Sequence, residues 1–153
     1  MREKMLAGDV CNRVVVIAER ALSLVQAAQL MRERHVGCLV VVDETGEGRL
    51  PVGMLTDRDI VTAVVARELD AAQLTVGDVM SHELTSVLED ESIKDMLTTM
   101  RRKGIRRLPV VTPRGMLAGL VTLDDLLSLM AEHLREMAAV VETESLREHR
   151  ERA

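Results

Sequence analysis

The fold of this chain is decided by a stretch that is written twice. Gly53-Met54-Leu55-Thr56-Asp57-Arg58-Asp59-Ile60 returns as Gly119-Leu120-Val121-Thr122-Leu123-Asp124-Asp125-Leu126. In both copies a glycine leads a short apolar run into Thr-x-x-Asp, and an apolar helical pattern follows. Thr-x-x-Asp at a helix start is typical of a capping box. A helix N-terminus also attracts phosphate, so the motif predicts a helix cap, a binding site, or both.

The repeat extends over most of the chain. Gly8-Asp9-Val10 returns as Gly77-Asp78-Val79, 69 residues later, and at the Thr-x-x-Asp motif the separation has fallen to 66. The three extra residues of the first copy fall around residues 43–48. Such length differences are tolerated in surface loops, so they support the alignment. The pattern indicates two copies of one supersecondary unit.

Each copy is predicted to have the order β-α-β-β-α. The predicted elements are first strands at 14–17 and 84–88, helices at about 22–34 and 91–103, second strands at 38–42 and 108–111, and third strands ending at 55 and 121. Ser23 with Gln26, and Ser92 with Asp95, predict capping boxes. The expected core positions of the two helices are Leu24, Ala27, Ala28 and Met31, and Ile93, Met96, Leu97 and Met100.

An α/β fold follows, with the two units packed sheet against sheet, because neither alone buries enough surface. We expect repeat 1 at residues 6–67, a linker at 68–75, repeat 2 at 76–132 and a C-terminal helical extension at 133–153. The last helix continues with Leu127, Met130, Leu134, Met137 and Val141, whose alternating spacing of three and four indicates a seam. This seam either meets a partner or folds back on its own domain, and we expect the chain to fray from Glu142 onward.

Composition excludes several classes of protein. Hydrophobic residues make up 47% and charged residues 29%, which is typical of a soluble globular chain. No apolar run is long enough to span a membrane and the charged N-terminus does not resemble a signal peptide, so we expect a cytoplasmic protein. The net charge of -5 argues against nucleic acid as a partner. Phe, Tyr and Trp are absent, so any planar ligand must lie between aliphatic side chains and backbone.

No catalytic or metal motif is present. The sequence has no Walker loop, no dinucleotide fingerprint and no triad order, so it is not predicted to be an enzyme. Cys11 and Cys38 lack metal-motif spacing and are interpreted as reduced thiols that pack as small apolar groups. The four histidines lack the spacing of metal ligands and are interpreted as surface or packing residues.

Several motifs together resemble a tandem pair of CBS domains, the Bateman module named after cystathionine β-synthase. These are the two Thr-x-x-Asp stretches, Gly77-Asp78-Val79-Met80, His35-Val36-Gly37-Cys38-Leu39-Val40-Val41-Val42 and Gly104-Ile105-Arg106-Arg107-Leu108-Pro109-Val110-Val111. The resemblance covers about residues 6–132 and is closest to stand-alone bacterial CBS domain proteins. It implies a pseudo-twofold module, often a disc-like homodimer, with regulatory rather than catalytic function.

The resemblance also implies two clefts that take AMP, ADP, ATP or S-adenosylmethionine as regulatory ligands, with no required cofactor. Asp59 and Asp125 would contact the ribose, and Thr56 and Thr122 the phosphate side. Each cleft would mix the repeats. Thr122 and Asp125 would face Val16, Val36 and Gly37, whereas Thr56 and Asp59 would face Thr85 and Ile105.

Arginines predict that the two clefts differ. Arg58 lies inside the first motif, where the second motif has Asp124, and Arg106 and Arg107 precede a buried strand. Arg58 and Arg106 are candidate phosphate ligands, while Arg107 is either a ligand or a solvated charge. Family position favours a cleft that holds both Arg106 and Asp125, and we expect unequal binding.

Two other interpretations remain open. The chain could be an interaction or dimerisation module whose clefts stay empty and whose C-terminal helix carries the function. It could also be a metal- or redox-responsive module that uses Cys11, Cys38 and His35. In each case an unidentified effector protein, acting in trans, would read the signal.

Overall fold

The computed structural model describes residues 5–153, and the two repeats share one order of elements. The first contains α1 (Ala7–Val10), β1 (Ile17–Ala18), α2 (Leu24–Arg34), β2 (Cys38–Thr45), β3 (Gly48–Thr56) and α3 (Asp57–Ile60). The second contains α4 (Val76–Val79), β4 (Val87–Leu88), α5 (Ile93–Lys103), β5 (Arg107–Val111), β6 (Leu117–Thr122) and α6 (Leu123–Arg152). A π-helical turn, Val61–Val65, continues α3, and a 3-10 turn, Ala71–Gln73, lies in the connection.

Each repeat is built on a three-stranded sheet, in the order β1-β2-β3 or β4-β5-β6. The first strand pairs parallel with the second, since a helix connects them, and the second pairs antiparallel with the third across a short turn. The predicted α/β fold and its β-α-β-β-α order are therefore confirmed. The register pairs Cys38 with Thr56 and Arg107 with Thr122. Equivalent residues thus stand next to each motif threonine.

The first strand of each repeat is shorter than predicted, and both helices start later. The residues before β1 do not pair as a strand: the Val14 amide donates to Asn12 Oδ1 at 3.0 Å, and its side chain is 83% exposed. The helices start after Ser23 and Ser92 because each hydroxyl accepts from a backbone amide three residues later, at 3.1 and 3.2 Å. Both serines are therefore N-cap residues rather than helical ones.

Each sheet has its own aliphatic core. Leu39, Val41 and Leu55 of the first sheet pack against α2, and Leu108, Val110 and Val121 of the second pack against α5. Three of the four predicted core positions on each helix are buried or half-buried. The fourth, Ala28 on α2 and Leu97 on α5, is exposed in both copies. The core-facing stripe is therefore narrower than the sequence pattern indicated.

The short helices α1 and α4 exchange places between the repeats. Ala7 of α1 is buried in the core of the second repeat, and the Gly8 amide donates to the Glu89 carbonyl at 2.8 Å. Val76 of α4 is buried in the core of the first repeat, and its amide donates to the Leu22 carbonyl at 2.9 Å. The first residues of each repeat therefore complete the other, which ties the two sheets together.

Gly53 and Gly119 make this exchange possible. The chain after α4 pairs with β3 at Met54 and Ser81, and the chain after α1 pairs with β6 at Asn12 and Leu120. A Cβ on Gly53 would collide with the Ser81 carbonyl oxygen. A Cβ on Gly119 would lie 2.5 Å from Cys11 Sγ and 2.9 Å from the Asn12 oxygen. The glycine that opens each motif is thus required by a crossing backbone.

Helix α6 leaves its own repeat after its first turns. Leu126 is its buried residue and Leu129 is half-buried, whereas the apolar side chains from Leu134 onward are exposed, with Leu134 itself at 65%. The seam does not fold back onto the described part of the chain. The predicted fraying from Glu142 is wrong, because the helix continues to Arg152 with an Arg147–Glu151 ion pair at 2.9 Å. Across residues 5–153, no helix combines the length and apolarity needed to cross a membrane.

Candidate functional site

The first cleft opens at the junction of β3 and α3 and has a volume of about 810 Å³. One wall is the first Thr-x-x-Asp motif, and the opposite wall comes from the second repeat. The lining residues are Met54, Thr56, Asp57, Arg58, Asp59, Ser81, Glu83, Leu84, Thr85, Gly104, Ile105, Arg106, Arg107 and Asp124. The cleft exists because the chain after α4 crosses at Gly53 and carries Ser81–Thr85 over the motif.

A complete capping box forms the floor of the first cleft. Thr56 Oγ1 accepts from the Asp59 amide at 3.1 Å, and Asp59 Oδ2 accepts from the Thr56 amide at 2.8 Å. These two bonds fix the direction of both side chains. The motif is therefore a cap as well as part of a cleft wall.

Arginines and acids alternate around this cleft. Arg106 donates to Asp124 Oδ1 at 2.8 Å, and both side chains of this pair are well exposed. Arg58 and Arg107 form no ion pair with any residue from 5 to 153. A guanidinium is a fork of donors suited to phosphate or carboxylate. The first cleft thus presents two guanidinium groups that have no carboxylate partner in this part of the chain.

The second cleft opens at the junction of β6 and α6 and is smaller, at about 230 Å³. It is lined by Asn12, Val14, Val15, Val16, Val36, Gly37, Cys38, Arg107, Leu120, Thr122 and Asp125. Thr122 Oγ1 accepts from the Asp125 amide at 3.1 Å, as in the first motif. The reciprocal bond to the Thr122 amide is not formed among the described residues, so the Asp125 carboxylate is outside the box.

The two clefts are related by the repeat. Residues Asn12–Val16 in one take the place of Ser81–Thr85 in the other, at the separation of 69 found in the sequence. Gly37 and Cys38 correspond in the same way to Arg106 and Arg107. At these two equivalent positions the second repeat has two arginines and the first repeat has none. The two clefts therefore have similar backbone geometry but different charge.

The sequence profile of the CBS domain matches residues 7–66 and 76–132. The chain belongs to the CBS domain family. It is 37% identical over 134 residues to hypoxic response protein 1 of Mycobacterium tuberculosis, covering 88% of both chains. It is 36% identical over 122 residues to the uncharacterized protein MK0525 of Methanopyrus kandleri, spanning 80% of this chain but only 61% of that one.

Solved structures give the same assignment. The crystal structure of hypoxic response protein I with two coordinated zinc ions superposes with a TM-score of 0.70 at 35% identity, covering 81% of this chain and 98% of that chain. The CBS domain pair of MJ0100, in complex with 5′-methylthioadenosine and S-adenosylmethionine, gives a TM-score of 0.73 at 26% identity, covering 84% of this chain and 98% of that chain.

In the CBS pair, all eleven residues predicted to contact a ligand line one of the two clefts. The first cleft contains Thr56, Arg58, Asp59, Thr85, Ile105 and Arg106. The second contains Val16, Val36, Gly37, Thr122 and Asp125. The expectation that Arg106 and Asp125 share a cleft is wrong. Arg106 points toward the first cleft, where Asp124 holds its guanidinium, because the neighbouring acids Asp124 and Asp125 face different clefts.

Some lining residues were missed in the sequence. Ser81 and Glu83 follow the repeated Gly77-Asp78-Val79 segment, and the 69-residue separation makes them the equivalents of Asn12 and Val14 in the other cleft. The sequence allows Arg107 to be either a ligand or a solvated charge, and in the structure it lines both clefts. Its sequence position gives its register but not the direction of its side chain.

Burial makes both cysteine thiols harder to ionise. Burial raises the pKa of the Cys38 thiol to about 11, Arg107 opposes this rise, and Asp57 and Asp59 add to it. Burial also raises the pKa of the Cys11 thiol. Over residues 5–153, no group of three or more His, Cys, Asp or Glu side chains is placed to hold a metal ion. Cys11, Cys38 and His35 thus form no such cluster.

Proposed function

We propose that this CBS pair is a regulatory, non-catalytic module that binds a phosphorylated adenosine in its first cleft. The observation that carries the proposal is the combination of volume and charge there. At about 810 Å³ the first cleft lies within the usual range of small-molecule sites, roughly 300–1,000 Å³, whereas the second, at about 230 Å³, lies below it. Arg58, Arg106 and Arg107 supply donors for an anionic group.

The proposed roles follow the geometry of the cleft. The Asp59 carboxylate, already oriented by the capping box, accepts from the ribose hydroxyls. Thr56 and the arginines face the phosphates, and the base lies against Ile105 and Thr85. No aromatic ring is needed, because aliphatic side chains and backbone polar groups hold the adenine. The methylthioadenosine and S-adenosylmethionine bound by the MJ0100 pair support an adenosyl ligand.

The second cleft takes a smaller or weaker ligand in this proposal. Thr122 and Asp125 repeat the polar pair, and Val16, Val36 and Gly37 form the apolar wall. Gly37 and Cys38 replace two arginines, so less positive charge is available for phosphate. We therefore expect unequal affinities for AMP, ADP or ATP, and we expect S-adenosylmethionine, which has no phosphate, to discriminate less between the clefts.

A calorimetric titration with AMP, ADP, ATP, S-adenosylmethionine and NAD tests the proposal. We expect Asp59→Ala to weaken the tighter site at least tenfold, which is about 1.4 kcal/mol, and Asp125→Ala to spare it. Asp78→Ala is the matched control, because Asp78 completes an equivalent capping box with Thr75 outside both clefts. Affinities that are millimolar or weaker for all five ligands, and equal in all four proteins, would refute the proposal.

A second function, homodimerisation through α6, is favoured by its exposed seam. Leu127, Met130, Leu134, Met137 and Val141 follow a coiled-coil spacing over a helix of 30 residues, about 45 Å long. A second copy of α6 offers the same spacing and so covers the same seam. The zinc ions of the hypoxic response protein I structure have no corresponding ligand cluster in the described residues, so we do not propose a metal.

Sedimentation of the full chain tests the α6 interface. Leu134→Glu is expected to convert a dimer to a monomer, whereas Ala139→Glu, which adds the same charge on the opposite side of the helix, is expected to leave the dimer intact. Truncation after Glu132 should also give a monomer. Unchanged ligand affinity in that monomer would separate the two functions, and a dimer that persists in both Leu134→Glu and the truncated chain would refute this interface.

A further inference from the structure

Arg107 is the one described residue that lines both clefts. It opens β5 and pairs in register with Thr122, the cap of the second motif. Its neighbour Arg106 faces the first cleft alone and is held there by Asp124. Arg107 therefore stands at the boundary between the two candidate sites.

The repeat gives Arg107 no cationic counterpart. The equivalent residue of the first repeat is Cys38, which is buried, short and uncharged at neutral pH. A symmetric pair would have one cation for each cleft, whereas this chain has a single guanidinium at the junction. Arg107 lowers the pKa of the Cys38 thiol, and Asp57 and Asp59 raise it. Charged groups of the first cleft therefore change the electrostatic potential at a side chain that lines the second.

No described residue holds the Arg107 guanidinium. It is exposed, and over residues 5–153 its side chain makes neither an ion pair nor a hydrogen bond, whereas Arg13, Arg20, Arg49, Arg106, Arg114 and Arg147 each have a carboxylate partner. Turning the side chain toward either cleft therefore breaks no ion pair or hydrogen bond with this part of the protein. A guanidinium that donates two hydrogen bonds to one phosphate cannot at the same time bind a phosphate in the other cleft.

We propose that Arg107 is shared by the two clefts and makes them antagonistic, so that a phosphorylated adenosine in the first cleft weakens the binding of another in the second. This inference rests on the proposed function of the clefts. When the first phosphate holds Arg107, the second cleft keeps Asp125 as its charged residue and repels an anion. The effect is reciprocal, as for any coupling between two binding equilibria.

Calorimetry with ADP on the full chain measures this coupling. Asp59→Ala reports the affinity of the second cleft when the first is disabled, and the wild type reports that affinity when the first is filled. We expect the filled state to bind at least fivefold more weakly, the lower end of typical coupling. If the wild type shows a single site while Asp59→Ala still binds ADP in the second cleft, the antagonism is stronger still. If Asp59→Ala binds no ADP, the second cleft is not an ADP site and the inference is overturned.

Arg107→Ala separates sharing from simple repulsion between two anions. The ratio that measures the coupling is the affinity of the second cleft when the first is disabled, divided by its affinity when the first is filled. In the Arg107→Ala background this ratio is expected to fall to about one, although each affinity weakens. Direct repulsion would instead survive or grow when the cation is removed, and that result would overturn the inference. Arg114→Ala, an arginine in the turn between β5 and β6 that lines neither cleft, is the matched control and should keep the ratio of the wild type.

Adenosine provides a control on the ligand side. It lacks phosphate, so it cannot capture Arg107, and we expect a ratio of about one in the wild type. A ratio for adenosine as large as that for ADP would overturn the role of the anion. If ADP binds both clefts with a ratio that Arg107→Ala does not change, sharing is refuted while the proposed function stands. If ADP binds neither cleft, both are refuted.

Discussion

The clearest structural prediction concerns Gly53, where β3 meets the backbone that crosses from the other repeat. A Cβ at this position would collide with the Ser81 carbonyl oxygen and lie 3.1 Å from Met80 Sδ. A backbone atom that is itself paired cannot rotate away as a side chain can. The Met54 amide donates to the Ser81 carbonyl at 3.2 Å, and the Ser81 amide donates to the Met54 carbonyl at 2.8 Å. Gly53→Ala must therefore strain or break this pair.

The magnitude follows from these contacts. Overpacking a tight site costs about 1–3 kcal/mol, and each net hydrogen bond contributes about 1 kcal/mol. Because breaking the pair relieves the collision, the two costs overlap, and we expect Gly53→Ala to lose about 2–3 kcal/mol. For a chain of this size that lowers the melting temperature by about 4–12 °C. Gly119→Ala should cost less, since the nearest Cys11 sulfur can move and the backbone oxygen of Asn12, at 2.9 Å, would lie farther from the added Cβ than the Ser81 oxygen would at Gly53.

Urea unfolding followed by far-ultraviolet circular dichroism is the suitable assay, because the chain has no Trp, Tyr or Phe to fluoresce. Gly46→Ala is the matched control: it lies in the turn between β2 and β3, and a Cβ there would meet nothing within 4 Å. We expect it to change the free energy of unfolding by less than about 1 kcal/mol. If Gly53→Ala were as stable as Gly46→Ala, the close crossing of the two repeats would be refuted.

Three further results are expected. Asp124→Asn releases Arg106 from its exposed ion pair and should tighten ADP binding by about two- to fivefold, within the range for such pairs; weaker binding in a titration would contradict the role given to Arg106. Cys38 keeps its proton to about pH 11 when folded and loses it near pH 9 when unfolded, so stability should fall between pH 9 and 11, by up to roughly 1.4 kcal/mol per pH unit. When the free energy of unfolding is measured in urea at each pH, Cys38→Ala should lack this part of the decrease with pH. An identical pH dependence in the two proteins would contradict the buried thiol. Thr56→Ala removes a cap and should cost about 0.5–2 kcal/mol together with first-cleft affinity, whereas Thr75→Ala should cost stability alone.

Local patterns predicted the order of elements because they record local physics. Short apolar runs gave the strands and period-3.6 apolar spacing gave the helices of both repeats, and the doubled Thr-x-x-Asp motif gave the floor of each cleft. The serines at positions 23 and 92 are the predicted capping residues, although both helices begin two residues later than predicted. The 69-residue separation gave the opposite wall of each cleft in principle.

Features that depend on distant contacts were not predicted. The exchange of α1 and α4 rests on hydrogen bonds such as Gly8 to Glu89, which leave no period in the sequence. The glycine of each motif was noticed as part of a repeat, but its cause is a crossing backbone. The path of α6 could not be predicted either, since an apolar stripe fits a partner and its own domain equally well.

Side-chain direction accounts for the remaining error in the site. Asp124 and Asp125 are adjacent, yet one lines the first cleft and the other the second. The Arg106 guanidinium donates to Asp124 and not to Asp125, so the cation that was expected in the second cleft lies in the first. Successive residues of a first helical turn point about 100° apart, and the sequence does not say which direction meets which wall.

A crystal structure of the full chain grown with ADP tests the central claim most directly. The account predicts ADP in the first cleft, with the ribose hydroxyls on the Asp59 carboxylate and the phosphates within hydrogen-bonding distance of at least one of Arg58, Arg106 and Arg107. Empty clefts at an ADP concentration well above the dissociation constant measured by calorimetry, or ADP bound away from Asp59, would contradict it.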